Sequence, residues 1–142
     1  MEQDLKKAAA LLQEEDYTCV LCRDAAVYTS RERGVKPLLS WLDAGIGVQG
    51  FSAADRVVGK GAAFLYVILG IRAVYARVIS ETARAVLEEN GITVQAETCV
   101  PRIFNRTRTG FCPIESAVQA ENDPEKALPL IRARLRALAD QK

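Results

Sequence analysis

The sequence predicts an α/β domain, a three-layer arrangement in which a mixed sheet carries helices on both faces. Two observations carry this. A pair of short apolar runs around Arg23-Asp24 reads as a β-hairpin, and further along the chain strands alternate with helices. With 142 residues, 49% of them hydrophobic, the chain has the size of one domain and enough apolar side chains to bury a core. A single unit over residues 1–142 is therefore expected.

Glu2 to Glu15 is the first helix, with Leu5, Ala8, Ala9 and Leu12 along one face at helical spacing. Tyr17 to Cys22 and Ala25 to Ser30 form the hairpin, and Arg31 to Lys36 is a charged loop. Pro37 opens a second helix at a first-turn position, and Gly45 closes it as a C-cap. Leu38, Leu39 and Leu42 give that helix its packing face, with Trp41 beside them.

Ser52 to Gly70 reads as one long central helix. Ser52 and Asp55 have the spacing of a capping box, and Val58, Ala62, Leu65 and Leu69 follow on one face. Phe64, Val67 and Ile68 make the other face apolar too, so this helix is expected to be buried on several sides. Gly59 and Gly61 each cost a helix interior about 1 kcal/mol. A helix accepts that cost where another backbone or a ligand comes close. Lys60 lies between them, and two readings stay open: a stem that snorkels to water, or a cation aimed into a pocket.

Ile71 to Ile79 reads as a buried strand, and Ser80 caps a helix that ends at Asn90-Gly91. Ile92 to Cys99 is a further strand that Pro101 breaks, and Arg102 to Phe104 reads as a short edge strand. Asn105 to Gly110 is a polar loop. Pro113, with Glu115 behind it, opens a short helix, and Asp123-Pro124 starts the last helix, to about Ala139.

Composition excludes several function classes. There is no histidine, which removes imidazole acid–base catalysis, Ser-His-Asp and Cys-His constellations and His-ligated metals within one chain. The net charge of +1 argues against a nucleic-acid binder, and the arginines at 132, 134 and 136 are interleaved with leucine and alanine on a helix. The first residues are amphipathic and charged, unlike a signal peptide, and no run spans a membrane. A cytoplasmic protein with reduced cysteines is expected. A domain of this apolar content is compatible with a homodimer.

Several motifs match in letters and fail in context. Gly45-Ile-Gly47-Val-Gln-Gly50 is a literal G-x-G-x-x-G, but it follows a helix and no acid stands about 20 residues on. It could still cradle an anion at the start of the central helix. Gly59-Lys60 lacks the first glycine and the Ser or Thr of a phosphate loop, since those places hold Ala54 and Gly61. Cys19 and Cys22 sit three apart on a strand and point to opposite faces. Cys112 stands at a helix N-cap near Arg102, Arg106 and Arg108, where a thiol pKa is lowered, so it reads either as an inert capping thiol or as a thiol site.

The segments VVGKGAA, VISETA and NRTRTGFCPIE resemble a family of unknown function assigned to the cytidine-deaminase-like fold, a resemblance running from about Tyr17 to Glu121. It implies that fold. True deaminases hold zinc with His or Cys at two helix starts, with a glutamate as proton shuttle. The matching places here, Asp55 to Lys60 and Ser80-Glu81-Thr82, contain neither His nor Cys, and Cys112-Pro113 stands in reversed order and too late. The resemblance thus implies the scaffold without a metal or other cofactor.

Such a scaffold brings two helix N-termini together, a setting that favours anions. Lys60, Ser80, Glu81, Asn105 and Arg106 are the expected ligand-binding residues. Lys60, Asp55 and Cys112 are the expected catalytic ones if the chain is an enzyme. The ligand class is a nucleotide or other phosphorylated small molecule. The alternatives are a structural or partner-binding module, and a thiol site at Cys112.

Overall fold

Five strands in the order β2-β1-β3-β4-β5 form the sheet of the computed structural model, which describes residues 2–104, 110 and 112–140. The elements along the chain are α1 (Gln3–Glu14), β1 (Cys19–Arg23), β2 (Ala26–Ser30), α2 (Lys36–Asp43), β3 (Ser52–Val58), α3 (Lys60–Leu69), β4 (Ala73–Ser80), α4 (Glu81–Glu89), β5 (Thr93–Val100), α5 (Pro113–Ala117) and α6 (Pro124–Asp140). The first three strands are antiparallel neighbours, and β3, β4 and β5 run parallel. The sheet is therefore mixed, as expected.

The hairpin forms where the apolar runs placed it. Asp24 turns the chain with φ +53°, a conformation that aspartate tolerates better than most residues. Among the described residues α1 is the helix that covers one face of the sheet, with Leu5, Ala8 and Leu12 packed on Val20, Cys22 and Ala54. α3 is the centre of the other layer and touches α2, α4, α5 and α6. α6 is tied to α2 by a bidentate pair, Arg132 to Asp43 at 2.6 and 3.1 Å.

The largest departure from expectation is the stretch read as one central helix. Ser52–Val58 is a strand, β3, and only Lys60–Leu69 is helical. β3 is the middle strand, paired with β1 on one side and β4 on the other. Its first four residues are buried, which erases the polar–apolar alternation that marks a half-exposed strand. Ser52 is no cap: it is fully buried and donates to the Glu2 carboxylate at 2.5 Å. Asp55 is no cap either, since its backbone pairs with Cys19 and Ala76. Gly59, with extended backbone, is the residue before the helix, and Gly70 ends it at φ +76°.

Smaller corrections follow from pairing partners. β4 starts at Ala73, two residues later than Ile71, and α5 is only five residues long. Gly45, at φ +67°, follows the C-cap Ala44. Of Arg102 to Phe104 only Phe104 is in a β-bridge, and no strand element forms there. Among the described residues no helix is long and apolar enough to cross a membrane.

Asp55 points from β3 into the core. Its Oδ2 accepts the Tyr66 hydroxyl at 2.7 Å, and the Cys19 sulfur lies 3.3 Å from that hydroxyl oxygen. Burial pushes the Asp55 carboxyl up from 3.8 to about 7, while the Tyr66 hydroxyl and the N–H groups of Val57 and Arg56 pull it down. Burial likewise raises Tyr66 and Cys19, and the Asp55 charge adds to both shifts.

The folded chain thus holds a proton that the unfolded chain has released. The stabilisation from this group is complete below about pH 4 and is lost as pH rises to about 7. Asp55→Asn keeps an acceptor for Tyr66 but does not titrate. In denaturant unfolding across this range, the variant is expected to gain on the wild type as pH rises, by on the order of 1–4 kcal/mol. A constant difference between the two proteins would remove the assignment.

Candidate functional site

β3 and β4 end side by side, with Val58 opposite Ile79, and each leads directly into a helix. The N-termini of α3 and α4 are therefore neighbours at the carboxyl ends of two parallel strands. A helix N-terminus leaves backbone N–H groups without intrahelical partners and favours negative charge. The expectation that two such ends converge here holds.

The group that meets them is a carboxylate of the chain itself. Glu115, on α5, is 4% exposed. Its Oε2 accepts the Lys60 backbone N–H and the Ser80 hydroxyl, each at 2.8 Å, and its Oε1 accepts the Ile103 N–H at 3.1 Å. Ser80 also caps α4 by accepting the Ala83 N–H at 3.1 Å, as its position before Glu81 predicts. One serine oxygen thus joins the start of α4 to α5.

The two glycines around Lys60 are explained by this approach. A Cβ on Gly59 would stand 2.8 Å from the Glu115 Oε2, and one on Gly61 would stand 2.6 Å from the Ile114 Cγ2. The expected close approach is real, and what comes close is α5. Lys60 itself is 6% exposed. Its amino group donates to the Gln119 carbonyl at 2.7 Å and lies 5.6 Å above the Phe64 ring.

Of the residues expected to bind ligand, Lys60 and Ser80 are brought together, through Glu115. Glu81 is exposed on the first turn of α4 and takes no part in these bonds. Asn105 and Arg106 lie outside the described residues. Asp55 belongs to the separate core cluster with Tyr66 and Cys19. Cys112 is a free, half-buried thiol whose side chain makes no cap bond, although its backbone N–H reaches the Ile103 carbonyl at 2.8 Å.

The sequence reading placed Glu115 only as a helix-start residue and did not single out Tyr66 at all. The pair of glycines was the available signal for Glu115, because it announced an unseen close neighbour.

The glycine-rich loop is at the wrong end to hold an anion. Gly50 donates to the Gly70 carbonyl at 2.9 Å, so the loop packs against the C-terminal end of α3. There, with Leu42, Ile68 and Leu69, it lines a cavity of about 270 Å³. Helix C-termini present carbonyl oxygens and repel negative charge.

Among the described residues no group of three or more His, Cys, Asp or Glu is arranged to hold a metal. At the two helix starts the nearest donors are an amine already bonded to a carbonyl, a serine and one carboxylate. That set offers one carboxylate and no thiolate or imidazole, short of the three or four protein ligands of a zinc site.

These features define a class: an α/β protein with a five-stranded mixed sheet, whose paired helix N-termini are sealed by an internal carboxylate. The model for TM1506, a domain of unknown function (DUF1893), matches residues 7–135, and the chain belongs to this DUF1893 family. Its structure is similar to the crystal structure of a DUF1893 family protein from Thermotoga maritima, with a TM-score of 0.83 and 24% identity, over 96% of this chain and 92% of that one. No curated protein matches the chain.

Gly61→Ala is expected to destabilise the protein by about 1–3 kcal/mol despite the better helix propensity of alanine, because Ile114 is fixed in the way. In a double-mutant cycle, Ile114→Ala should absorb most of that loss. Strict additivity of the two substitutions would show that the contact does not constrain α3.

Proposed function

We propose that this protein binds a small anionic molecule on a cytidine-deaminase-like scaffold that has no zinc. A nucleotide or other phosphorylated small molecule is the ligand class. Its anionic group takes the place of the Glu115 carboxylate between the two helix starts.

The observation that carries this reading is the environment of Glu115: a buried carboxylate held by donors from α3, from the residue capping α4 and from Ile103. This is an oxyanion seat, built where ligands of α/β proteins gather, at the carboxyl ends of parallel strands. The deaminase-like assignment is supported by the strand order, in which an antiparallel hairpin precedes parallel strands that feed neighbouring helices.

Ligand entry requires α5 to lift. α5 is short, and Glu115 and Ile114 supply its hold on α3. Lys60 then has a role beyond its backbone N–H: once α5 and Gln119 move, its amino group is free to meet the ligand's charge. If the bound molecule reacts, Lys60 is the nucleophile or base at this seat, and Asp55 and Cys112 stand at greater remove.

A second reading is a partner-binding module without small-molecule activity. It is favoured by the burial of Lys60, Ser80 and Glu115, which leaves the seat full.

A thermal-shift panel of nucleotides and phosphorylated sugars separates the two. A ligand at 100 times its Kd adds about 2.7 kcal/mol. At least one compound should raise the Tm of the wild type. It should bind more tightly to Glu115→Gln, whose amide is a poorer occupant of three donors, and lose affinity for Lys60→Met. If no compound shifts any of the three proteins, the partner-binding reading stands instead.

A further inference from the structure

The sheet ends on one side in β5, a strand of eight residues that pairs in parallel with β4. Among the described residues no further strand stands beyond it. The Thr93 N–H donates inward, to the Arg72 carbonyl at 3.2 Å. The N–H and C=O of one residue point to the same side of a strand, and that side alternates along the chain. Thr93, Gln95 and Glu97 therefore turn their backbone groups toward β4. Val94 and Ala96 turn theirs to the outer edge, where among the described residues no backbone group meets them.

An open edge is a template for another chain, and proteins blunt it with lysine, proline, bulges or charges. β5 contains no lysine or proline and keeps one register with β4 from Thr93 to Val100. Its one charge, Glu97, already accepts the Tyr75 hydroxyl at 2.7 Å. The opposite edge strand, β2, is shorter, with five residues, and runs between charged corners at Arg23-Asp24 and Arg31-Glu32-Arg33.

The strand is also complementary to itself. Thr93, Gln95 and Glu97 are exposed and alternate with Val94 and Ala96, which pack against the core on the α3 side. An antiparallel copy centred on Gln95 sets Val94 opposite Ala96, Gln95 opposite its own copy and Thr93 opposite Glu97. Each outward-turned residue then meets an outward-turned one and exchanges N–H to carbonyl bonds with it. The apolar pairs extend the core side of the sheet. Each Glu97 carboxylate meets a threonine hydroxyl instead of a second carboxylate, and like charges directly opposite are what destabilises a sheet pair. We propose that β5 is a dimerisation edge, at which a second copy of this chain adds its own β5 antiparallel and joins two five-stranded sheets into one. One strand laid on another is a small contact beside the ~1,200–2,000 Å² of stable interfaces, so the dimer exchanges reversibly with monomer. The Glu115 seat takes no part, and either proposal stands without the other.

The test is sedimentation velocity of the full chain from low to high micromolar concentration, in which the wild type should pass from monomer to dimer. Ala96→Pro removes an outward N–H, a place where an edge strand tolerates proline, and should leave a folded monomer throughout. Gln95→Lys sets like charges opposite each other and should weaken the dimer by about two- to fivefold. The register is read with new cysteines in a Cys99→Ser background, because Cys99 is exposed. Gln95 meets its copy in a non-hydrogen-bonded pair, with Cα atoms about 4.5 Å apart and within disulfide reach. Under mild oxidation Gln95→Cys should link into dimers and Thr93→Cys should not. Should Ala96→Pro fail to fold, Gln95→Lys and the two cysteine variants decide alone. A chain that is monomeric at every concentration and does not link through Gln95→Cys would overturn the proposal and leave the edge to an extended segment of another protein. A dimer that withstands both Ala96→Pro and Gln95→Lys lies elsewhere on the molecule and would overturn it equally. Thr93→Cys linking as well as Gln95→Cys would overturn the antiparallel register.

Discussion

One buried carboxylate organises the second layer of this protein. An ionised group of this kind is costly to remove from water unless donors surround it. Glu115 finds an N–H at the start of α3, the hydroxyl that caps α4 and an N–H just past the end of β5. Several otherwise unrelated features follow from satisfying it. Gly59 has no side chain because Oε2 occupies the space, and Gly61 has none because Ile114 arrives on the same short helix. Ser80 serves α4 and α5 with one oxygen. Lys60, whose N–H is engaged, sends its amine to the carbonyl of Gln119, just past α5, so that the α5 region is held from two sides.

The core cluster of Asp55, Tyr66 and Cys19 obeys a different logic. Here the carboxyl meets a phenol, which in turn meets a thiol, rather than an array of helix-end donors, and burial dominates its titration. Two acidic residues of similar intrinsic strength thus sit on one side of the same sheet in contrasting environments. The environment that supplies helix N-termini suits an anion. At Asp55 burial favours the neutral acid, against the pull of the Tyr66 hydroxyl.

Local signals were legible in the sequence. The hairpin, the serine cap of α4, the Asn90-Gly91 stop and the proline starts of α2 and α5 all depend on a few adjacent residues, and all appear in the structure. Ser52–Val58 was misread because a central strand buried on both faces has no alternation, while Ser52 and Asp55 happen to imitate a capping box. The candidate site was legible in half. The convergence of two helix starts followed from the resemblance to a deaminase-like scaffold, and the glycine pair announced a close neighbour. The identity of that neighbour was not legible, because Glu115 lies 55 residues from Lys60 and 35 from Ser80 and nothing local ties them.

That separation bears on how the molecule assembles. β3, α3, β4, α4 and β5 follow one another along the chain and can pair through contacts between consecutive elements. The Glu115 carboxylate has all its partners only after both strand-to-helix junctions and the end of β5 are in place. Closing long loops costs chain entropy before the distant contacts return anything, which puts this step late in folding. A chain with either crossover misplaced would have to bury the charge without its donors, or leave α5 undocked. The bond set around Glu115 therefore acts as a final check on the topology.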